Sequence, residues 1–213
     1  MRAWRMMVWR EWLLWHRQSG AGLTHMFVLL AAILLPFGLG PNLPLLRSLA
    51  PGLMWVIVLL AVFLSLEHMF QPDAEDGSLD ELRAMGGSYE AVALAKACGH
   101  WLAVLAPLAV SVPLAALLLN MEMAALGWLL AEFLCASPAL SFLGSIGAAL
   151  TLRVKRGGLL LGLIMTPFYL PLLIFALGGF GQATSLLVLS GFSLAALLLA
   201  PIVAAAGLRA AQQ

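Results

Sequence analysis

Residues 158–178 read GLLLGLIMTPFYLPLLIFALG, a run of 21 residues without a single charged side chain. An α-helix needs about 20 mainly apolar residues to cross the hydrocarbon core of a bilayer. A helix also satisfies its own backbone hydrogen bonds, which an isolated strand in lipid does not. This stretch therefore predicts a transmembrane helix. Within it, Gly158 and Gly162 have the spacing of a close helix–helix contact.

The rest of the chain has the same apolar character. Of its 213 residues, 63% are hydrophobic and only 10% are charged, whereas soluble domains carry roughly 25% charged residues. Such a chain belongs in a bilayer, and no polar stretch is long enough for a separate soluble domain. We predict an all-α polytopic membrane protein with one transmembrane domain over residues 1–213. Its six predicted spans are residues 22–40, 49–68, 98–119, 124–150, 158–178 and 184–207, and Ser137-Pro138 is a point where the fourth could tilt or break.

The Lys and Arg residues predict how these spans are oriented, because cytoplasmic loops are enriched in them. Six spans put both termini on one side of the membrane, and the external connections are then short, at about 41–48, 120–123 and 179–183. Arg47 is the one basic residue on the external side. We therefore expect both termini to be cytoplasmic. The other ten basic residues, all on the side of the termini, are Arg2, Arg5, Arg10, Arg17, Arg83, Lys96, Arg153, Lys155, Arg156 and Arg209.

The loop between the second and third spans concentrates negative charge in residues 75–82, which read EDGSLDEL. Ser78 and Glu81 have the spacing of a capping box, in which each side chain satisfies a backbone N–H of the first helical turn. The two glycines at 86–87 favour the end of that helix, so residues 79–85 are predicted to be a short helix. Two interpretations remain open: a solvated, capped turn, or a helix that docks to a cytoplasmic partner.

The N-terminal segment, MRAWRMMVWREWLLWHRQ (residues 1–18), predicts a second cytoplasmic feature. On a helix Trp4, Trp12 and Trp15 share one face, with arginines mostly opposite, although Glu11 falls within the apolar face. Such a helix lies in the membrane interface, where tryptophan is enriched. No signal-peptide cleavage pattern is found here. The alternative is a simple topological anchor.

Glu132 is the ionisable residue that falls deepest in a predicted span. It lies about nine residues into the fourth span, which at 1.5 Å per residue is near the middle of the bilayer. A carboxylate at that depth is costly and is therefore a functional candidate. Alternatively, Glu132 is protonated and hydrogen-bonded to a neighbouring helix.

Motifs for enzymatic or metal chemistry are not found in the sequence. No nucleotide-binding P-loop, GxSxG or HExxH pattern occurs, so we expect no catalytic site in this chain. Cys98 and Cys135 lack metal-ligand spacing, and we predict that they pack between helices. We interpret His100-Trp101, at the start of the third span, as an interfacial pair rather than an axial haem ligand. We therefore expect no metal site and no cofactor bound by this chain.

Taken together, six spans, an interfacial N-terminal helix and a short GSLDEL helix after the second span resemble the ABC-2 type of ABC-transporter permease. More closely, the chain resembles the CcmB family, the B subunits of the haem exporter of bacterial cytochrome c maturation. The similarity runs along almost the whole chain. It is carried by the stretches GPNLPLLRSLAPGLMWV (40–56), DGSLDELRAM (76–85), LAKACGHW (94–101), VKRGG (154–158) and PFYLPLLIFALGG (167–179).

The resemblance implies a half-transporter in the bacterial inner membrane. Two copies would pair with two copies of an ATPase subunit that binds ATP and Mg²⁺, alongside the C and D subunits and the periplasmic haem chaperone. The resemblance implies haem as the substrate. It also implies contact with membrane lipid and no binding of nucleic acid. The short helix of the family contacts the ATPase. The residues that match it here are Asp76, Gly77, Ser78, Leu79, Asp80, Glu81 and Leu82.

Three questions about function stay open at this point. The B subunit could itself pass haem, or it could convert ATP energy into release of the loaded chaperone; the lack of a clear haem ligand favours the second. An ABC-2 permease for a lipid or glycan would share every feature read from the residues. A carrier driven by a proton gradient, with Glu132 as its proton site, is the third possibility.

Overall fold

The computed structural model describes residues 20–77, 88–154 and 157–211. Within these ranges the chain forms seven helices and no strand, and six of the helices are long and apolar enough to span a membrane. The predicted all-α architecture with six spans is thus confirmed. The helices are α1 (Gly20–Leu39), α2 (Leu43–Leu66), α3 (Gln71–Glu75), α4 (Tyr89–Leu118), α5 (Met123–Thr151), α6 (Gly157–Gly178) and α7 (Ala183–Ala210).

Two spans begin earlier than predicted, because capping residues outside the apolar windows start the helices. The α2 helix begins at Leu43 rather than near residue 49, and the side chain of Asn42 accepts a hydrogen bond from a first-turn N–H. The connection before it is therefore much shorter than 41–48. The α4 helix begins at Tyr89 rather than near residue 98, with Ser88 as its N-cap. Apolar windows mark the part of a helix that lies in hydrocarbon, whereas caps mark its true ends.

The α5 helix runs through Pro138 without a break, and two serines explain why. Proline has no N–H to donate to the carbonyl four residues earlier, which here belongs to Leu134. The hydroxyl of Ser137 donates to that carbonyl at 3.2 Å. One residue further, the Ser193 hydroxyl of α7 donates to the Cys135 carbonyl and accepts from the N–H that would otherwise bond it. Neighbouring side chains thus satisfy the backbone groups that the proline disturbs.

The α4 helix contains one π-helical turn, at Trp101–Leu105. Pro107 follows within the next turn and cannot donate to the Ala103 carbonyl. Wide turns of this kind occur where the regular ladder of helix hydrogen bonds is interrupted. The turn separates an N-terminal half, Tyr89–His100, from a C-terminal half, Ala106–Leu118.

The α5 helix is the centre of the bundle and is the most buried span. It packs extensively on α7, and the two helices run in the same direction, since Glu132 bonds Ser185 near the start of α7 and Ala149 lies beside Gly207 near its end. Gly207 allows the close approach at one end, since a Cβ there would lie 3.3 Å from that of Ala149. The α6, α2 and α4 helices also contact α5, and α1 packs on α2 and α4.

The bundle has two ends, which we name by their connections. The loop end carries α3 and the segment between α3 and α4, the α5–α6 connection and the end of α7. The hairpin end carries the short connections α1–α2, α4–α5 and α6–α7. Here Arg47 and Glu122 form an exposed ion pair at 3.0 Å. Because six spans separate them, Gly20 and Ala210 both lie at the loop end.

Candidate functional site

At the loop end, a buried ion pair holds α3 against α4. The Lys96 ammonium of α4 donates to Oδ2 of Asp73 in α3, and each side chain is only 5% exposed. The same ammonium lies 6.0 Å from the centre of the Phe70 ring, within the range of a cation–π interaction. Asp73 is the one residue of α3 that is buried. The buried group of the helix itself is thus a charged one, and it follows the buried apolar residues Met69 and Phe70.

The acidic segment (residues 76–82) begins directly after this anchored helix, which ends at Glu75. Asp76 is exposed and its N–H donates to the Pro72 carbonyl at the end of α3. Gly77 has φ +77°, a conformation that is cheap for glycine, and it turns the chain away from the helix axis. Both residues thus lie where a partner at this end could reach them. The rest of the predicted coupling segment (Ser78, Leu79, Asp80, Glu81 and Leu82) and the predicted interfacial tryptophans (Trp4, Trp12 and Trp15) lie outside the described residues, so their roles stay predictions.

A polar cleft of about 110 Å³ opens beside α3. Its wall includes Glu67, Thr151 and Gly157, from the ends of α2 and α5 and the start of α6. The Glu67 carboxylate lies so close to Gly158 that a Cβ atom would not fit. A carboxylate beside the first turn of α6 suits the positive end of the helix dipole. Gly162 has open space around it, so the predicted helix contact through Gly158 and Gly162 does not form within this chain: the first glycine makes room for a carboxylate instead.

The start of α4 is also joined to the end of α7. A guanidinium nitrogen of Arg209 donates to Oε1 of Glu90, and the guanidinium lies 5.8 Å from the centre of the Tyr89 ring. Both ionic side chains are exposed by a third or more, and such exposed pairs contribute little to stability. The pair therefore contributes little energy but marks a position: α4 begins beside the end of α7.

His100 is not interfacial, contrary to the prediction. It is completely buried in α4, and one ring nitrogen bonds the Ser65 hydroxyl of α2 while the other bonds the Ser141 hydroxyl of α5, both at 2.8 Å. The adjacent Trp101 donates its indole N–H to Ser137 of α5 at 3.0 Å. This polar network links three spans just before the π turn. Both histidine nitrogens are engaged, which leaves no free one to bind haem iron.

Glu132 is completely buried and lies beside the first turn of α7. Its Oε1 accepts from the Ser185 hydroxyl at 2.9 Å, and Ser185 is the third residue of α7. Its other oxygen has no regular hydrogen bond within the part of the chain that the structure describes. The Trp55 indole N–H and the Gly181 backbone N–H, which are donors, also lie near the carboxylate. The group is thus nearer the hairpin end than the mid-bilayer depth predicted for it, and its surroundings suit a hydrogen-bond acceptor.

The comparisons with known proteins agree along the whole chain. Residues 1–211 match the family model described as "CcmB protein". The chain belongs to the CcmB family. A relative named "Heme exporter protein B" from Paracoccus denitrificans is 45% identical over 198 residues, which cover 90% of this chain and 91% of that protein. Relatives of the same name from Pseudomonas aeruginosa (40% identical, 92% of each chain) and Escherichia coli K12 (38% identical, 86% of each chain) are also similar.

Sequence reasoning about this CcmB family member missed the buried ion pair and the histidine network. A signal for both was present in α4. Val92, Lys96 and His100 are spaced by four residues, so they share one helix face. Val92 marks that face as the one that packs on the bundle. A lysine and a histidine on an apolar stripe predict buried partners, but the partners themselves come from other helices.

Proposed function

We propose that this chain is the transmembrane subunit of an ABC-type haem exporter that serves cytochrome c maturation. The observation that carries the proposal is the match of residues 1–211 to the CcmB family, with relatives named "Heme exporter protein B" that cover about 90% of the chain. The name of these relatives suggests the substrate, haem, and the bundle of six spans suggests the setting, a membrane. ATP hydrolysis takes place in a separate ATPase subunit.

The acidic segment couples the two subunits. Two copies of this chain pair with two copies of the ATPase, and residues 76–82 of each copy contact a cleft on one ATPase. The segment leaves directly from α3, which the Asp73–Lys96 ion pair holds in place. An anchored starting point supports coupling, because a displaced loop transmits motion only if its base does not yield. The C and D subunits and the periplasmic chaperone complete the complex.

The complex lies in the bacterial inner membrane with both termini of this chain in the cytoplasm. Supporting this orientation, Lys96, Arg153 and Arg209 lie at the loop end, whereas Arg47 lies at the hairpin end. Cytoplasmic ends of spans carry such an excess of basic residues. The ATPase then binds at the loop end, and the chaperone approaches from the hairpin side.

ATP energy releases the haem-loaded chaperone rather than driving haem through this subunit. The buried histidine of the spans, His100, has serine partners on both nitrogens. The Nδ1 of His25 lies 2.6 Å from the Ala21 carbonyl of its own helix. Histidine is a common protein ligand of haem iron, and these contacts leave little for haem within the bundle.

Gentle purification of the tagged protein, with identification of its partners, tests the proposal. We expect an ATPase, the C and D subunits and haem-handling proteins to co-purify, and ATP hydrolysis to be required for cytochrome c maturation. A visible absorption spectrum should show no haem on this chain once the other subunits are removed. Co-purification with lipid- or glycan-synthesis enzymes would instead identify a different exporter, and transport without ATP would identify an ion-driven carrier.

A further inference from the structure

The attachment of α3 is unusual for so apolar a protein. Short helices normally pack through apolar side chains, yet in α3 the buried side chain is a carboxylate, Asp73. Its partner, Lys96, lies on the packed face of α4, flanked by the buried residues Ala95 and Ala97. Burial of two charges costs desolvation energy that their attraction only partly offsets. Apolar residues of similar volume would hold α3 at least as well, so net stability does not explain the pair.

What an ion pair supplies better than apolar packing is a defined position. An apolar contact tolerates sliding, whereas a short, directional bond between an ammonium and a carboxylate fixes one helix relative to the other. The Phe70 ring under the ammonium adds a second constraint. Buried polar pairs with this role in specifying position are known in other folds.

The position that is fixed lies between the acidic segment and the N-terminal half of α4. Asp73 precedes Asp76 and Gly77 by only three and four residues. Lys96 lies one helical turn before His100, whose network joins α2 and α5, and the π turn starts at Trp101. The pair thus connects the base of the acidic segment to the half of α4 that ends at an irregular turn.

From this placement we propose that Asp73 and Lys96 are positioning residues, which transmit displacement of the acidic segment to the N-terminal half of α4. The inference rests on the proposed function, since it requires an ATPase that displaces the segment. The Arg209–Glu90 pair at the start of α4 is exposed and does not have this role. Loss of the buried pair uncouples ATP hydrolysis from maturation without preventing ATPase binding.

The test replaces both charges at once, because loss of a single partner would leave a buried, unpaired charge. Asp73→Leu with Lys96→Met keeps the volume and removes the bond. Asp73→Glu with Lys96→Arg keeps the opposite charges. Glu90→Ala with Arg209→Ala removes an exposed ion pair at the same end and is the matched control. Each variant is purified as the whole complex, and cytochrome c maturation is measured per ATP hydrolysed and per assembled complex.

We expect maturation per ATP to fall about fivefold or more in the Leu/Met variant, as for a typical coupling between sites. The Glu/Arg variant should stay within about twofold of the wild type because it keeps the opposite charges. The exposed-pair control should also stay within about twofold, since surface charges couple weakly. An unchanged ratio in the Leu/Met variant would overturn the inference. If that variant does not accumulate, Asp73→Asn with Lys96→Gln takes its place, and failure of both to accumulate would also overturn it, because the pair would then serve folding.

Failure of the underlying function looks different. If no ATPase co-purifies with the wild-type chain, or if Leu82→Pro matures cytochromes normally, the coupling function itself is wrong. If the wild type and Leu82→Pro behave as proposed and only the Leu/Met variant is normal, the coupling function stands and the role of the ion pair is wrong.

Discussion

At the scale of single residues, the polar groups inside the bundle are placed against partners from other helices. Ser193 of α7 takes the place of a backbone partner inside α5. The Tyr169 hydroxyl of α6 donates to the Leu140 carbonyl of α5 at 2.6 Å. In lipid no water is available to form a hydrogen bond with an unsatisfied polar group. Each of these bonds therefore specifies which helix lies beside which, in addition to stabilising it.

Glu132 gives the first prediction at this scale. Gln at this position keeps a carbonyl oxygen for the Ser185 hydroxyl, whereas Ala leaves a cavity and removes a hydrogen bond to an acidic side chain, which is worth roughly 1.5–3 kcal/mol when the acid is ionised. We expect Glu132→Ala to lower the thermal unfolding midpoint clearly more than Glu132→Gln in the same detergent. We also expect Glu132→Gln to support cytochrome c maturation. A folded but inactive Glu132→Gln protein would instead favour a proton-carrying role.

His100 gives the second prediction. Leu fills a similar volume, and both serines keep backbone carbonyls as acceptors, Val62 for Ser65 and Ala97 for Ser141. Ala instead leaves a cavity, and large-to-small changes in cores cost about 2–5 kcal/mol. We therefore expect His100→Ala to be markedly less stable than His100→Leu in thermal unfolding. Haem absorption of the purified complex should be the same for both variants, and loss of that absorption in His100→Leu would show that this residue binds haem.

At the scale of elements, irregular turns and caps decide where each helix begins, bends and ends. The π turn of α4 and the proline of α5, whose disturbed backbone groups are satisfied by serines, lie side by side. Trp101, in the π turn, donates to Ser137, which is next to Pro138. Both irregularities are in spans that contribute a residue to the histidine network, His100 from α4 and Ser141 from α5. Regular helix continues on either side of each interruption. These two irregularities of the bundle therefore lie in one layer.

The acidic segment carries the prediction at this scale. If residues 79–85 form a short helix that contacts the ATPase, Leu82→Pro should break it, at a cost of about 3 kcal/mol or more. Ser78→Ala with Glu81→Ala should remove the capping box and cost roughly 1–2 kcal/mol of helix stability. Leu82→Met keeps the size and the helix propensity and is the control. We expect the membrane spans to insert in all three.

The measurement is ATPase binding and cytochrome c maturation in membranes that contain equal amounts of each variant. Leu82→Pro should bind the ATPase weakly or hydrolyse ATP without supporting maturation, and the capping variant should be impaired to a smaller degree. Leu82→Met should resemble the wild type. Normal maturation with Leu82→Pro would show that the segment is a solvated turn rather than a coupling helix.

At the scale of the whole molecule, the loop end and the hairpin end differ in charge and in construction. The loop end holds the Asp73–Lys96 and Glu90–Arg209 pairs and the polar cleft. The hairpin end holds short connections, one ion pair and the buried Glu132–Ser185 bond. The proposed ATPase partner would bind at the loop end, because Asp76 and Gly77, the start of the acidic segment, lie there.

Labelling of single cysteines in intact cells tests this orientation. In a background with Cys98→Ala and Cys135→Ala, a membrane-impermeant maleimide should label Gln182→Cys and should not label Ala210→Cys, both of which are exposed sites. Ala210→Cys should react only after the membrane is made permeable. Labelling of Ala210→Cys from outside would invert the topology and remove the basis for a cytoplasmic ATPase at the loop end.

The sequence by itself determined the class, the number of spans and the family. Apolar content and charge are local properties of the chain, so six apolar windows and the uneven spread of basic residues among the predicted loops can be read from the sequence without any contact between helices. The Ser88 cap could also be predicted, because a cap and its helix are adjacent in sequence.

The tertiary structure alone decided which polar groups meet. Asp73 with Lys96, Glu132 with Ser185, and His100 with two serines are pairs brought together by packing from 23 to 53 residues apart. The Gly158–Gly162 spacing and the position of His100 were misinterpreted for the same reason, since a pattern within one helix does not say what the neighbouring helix presents to it. Whether a side chain is buried can be predicted from its position on its own helix, but the identity of its partner depends on how the helices pack together.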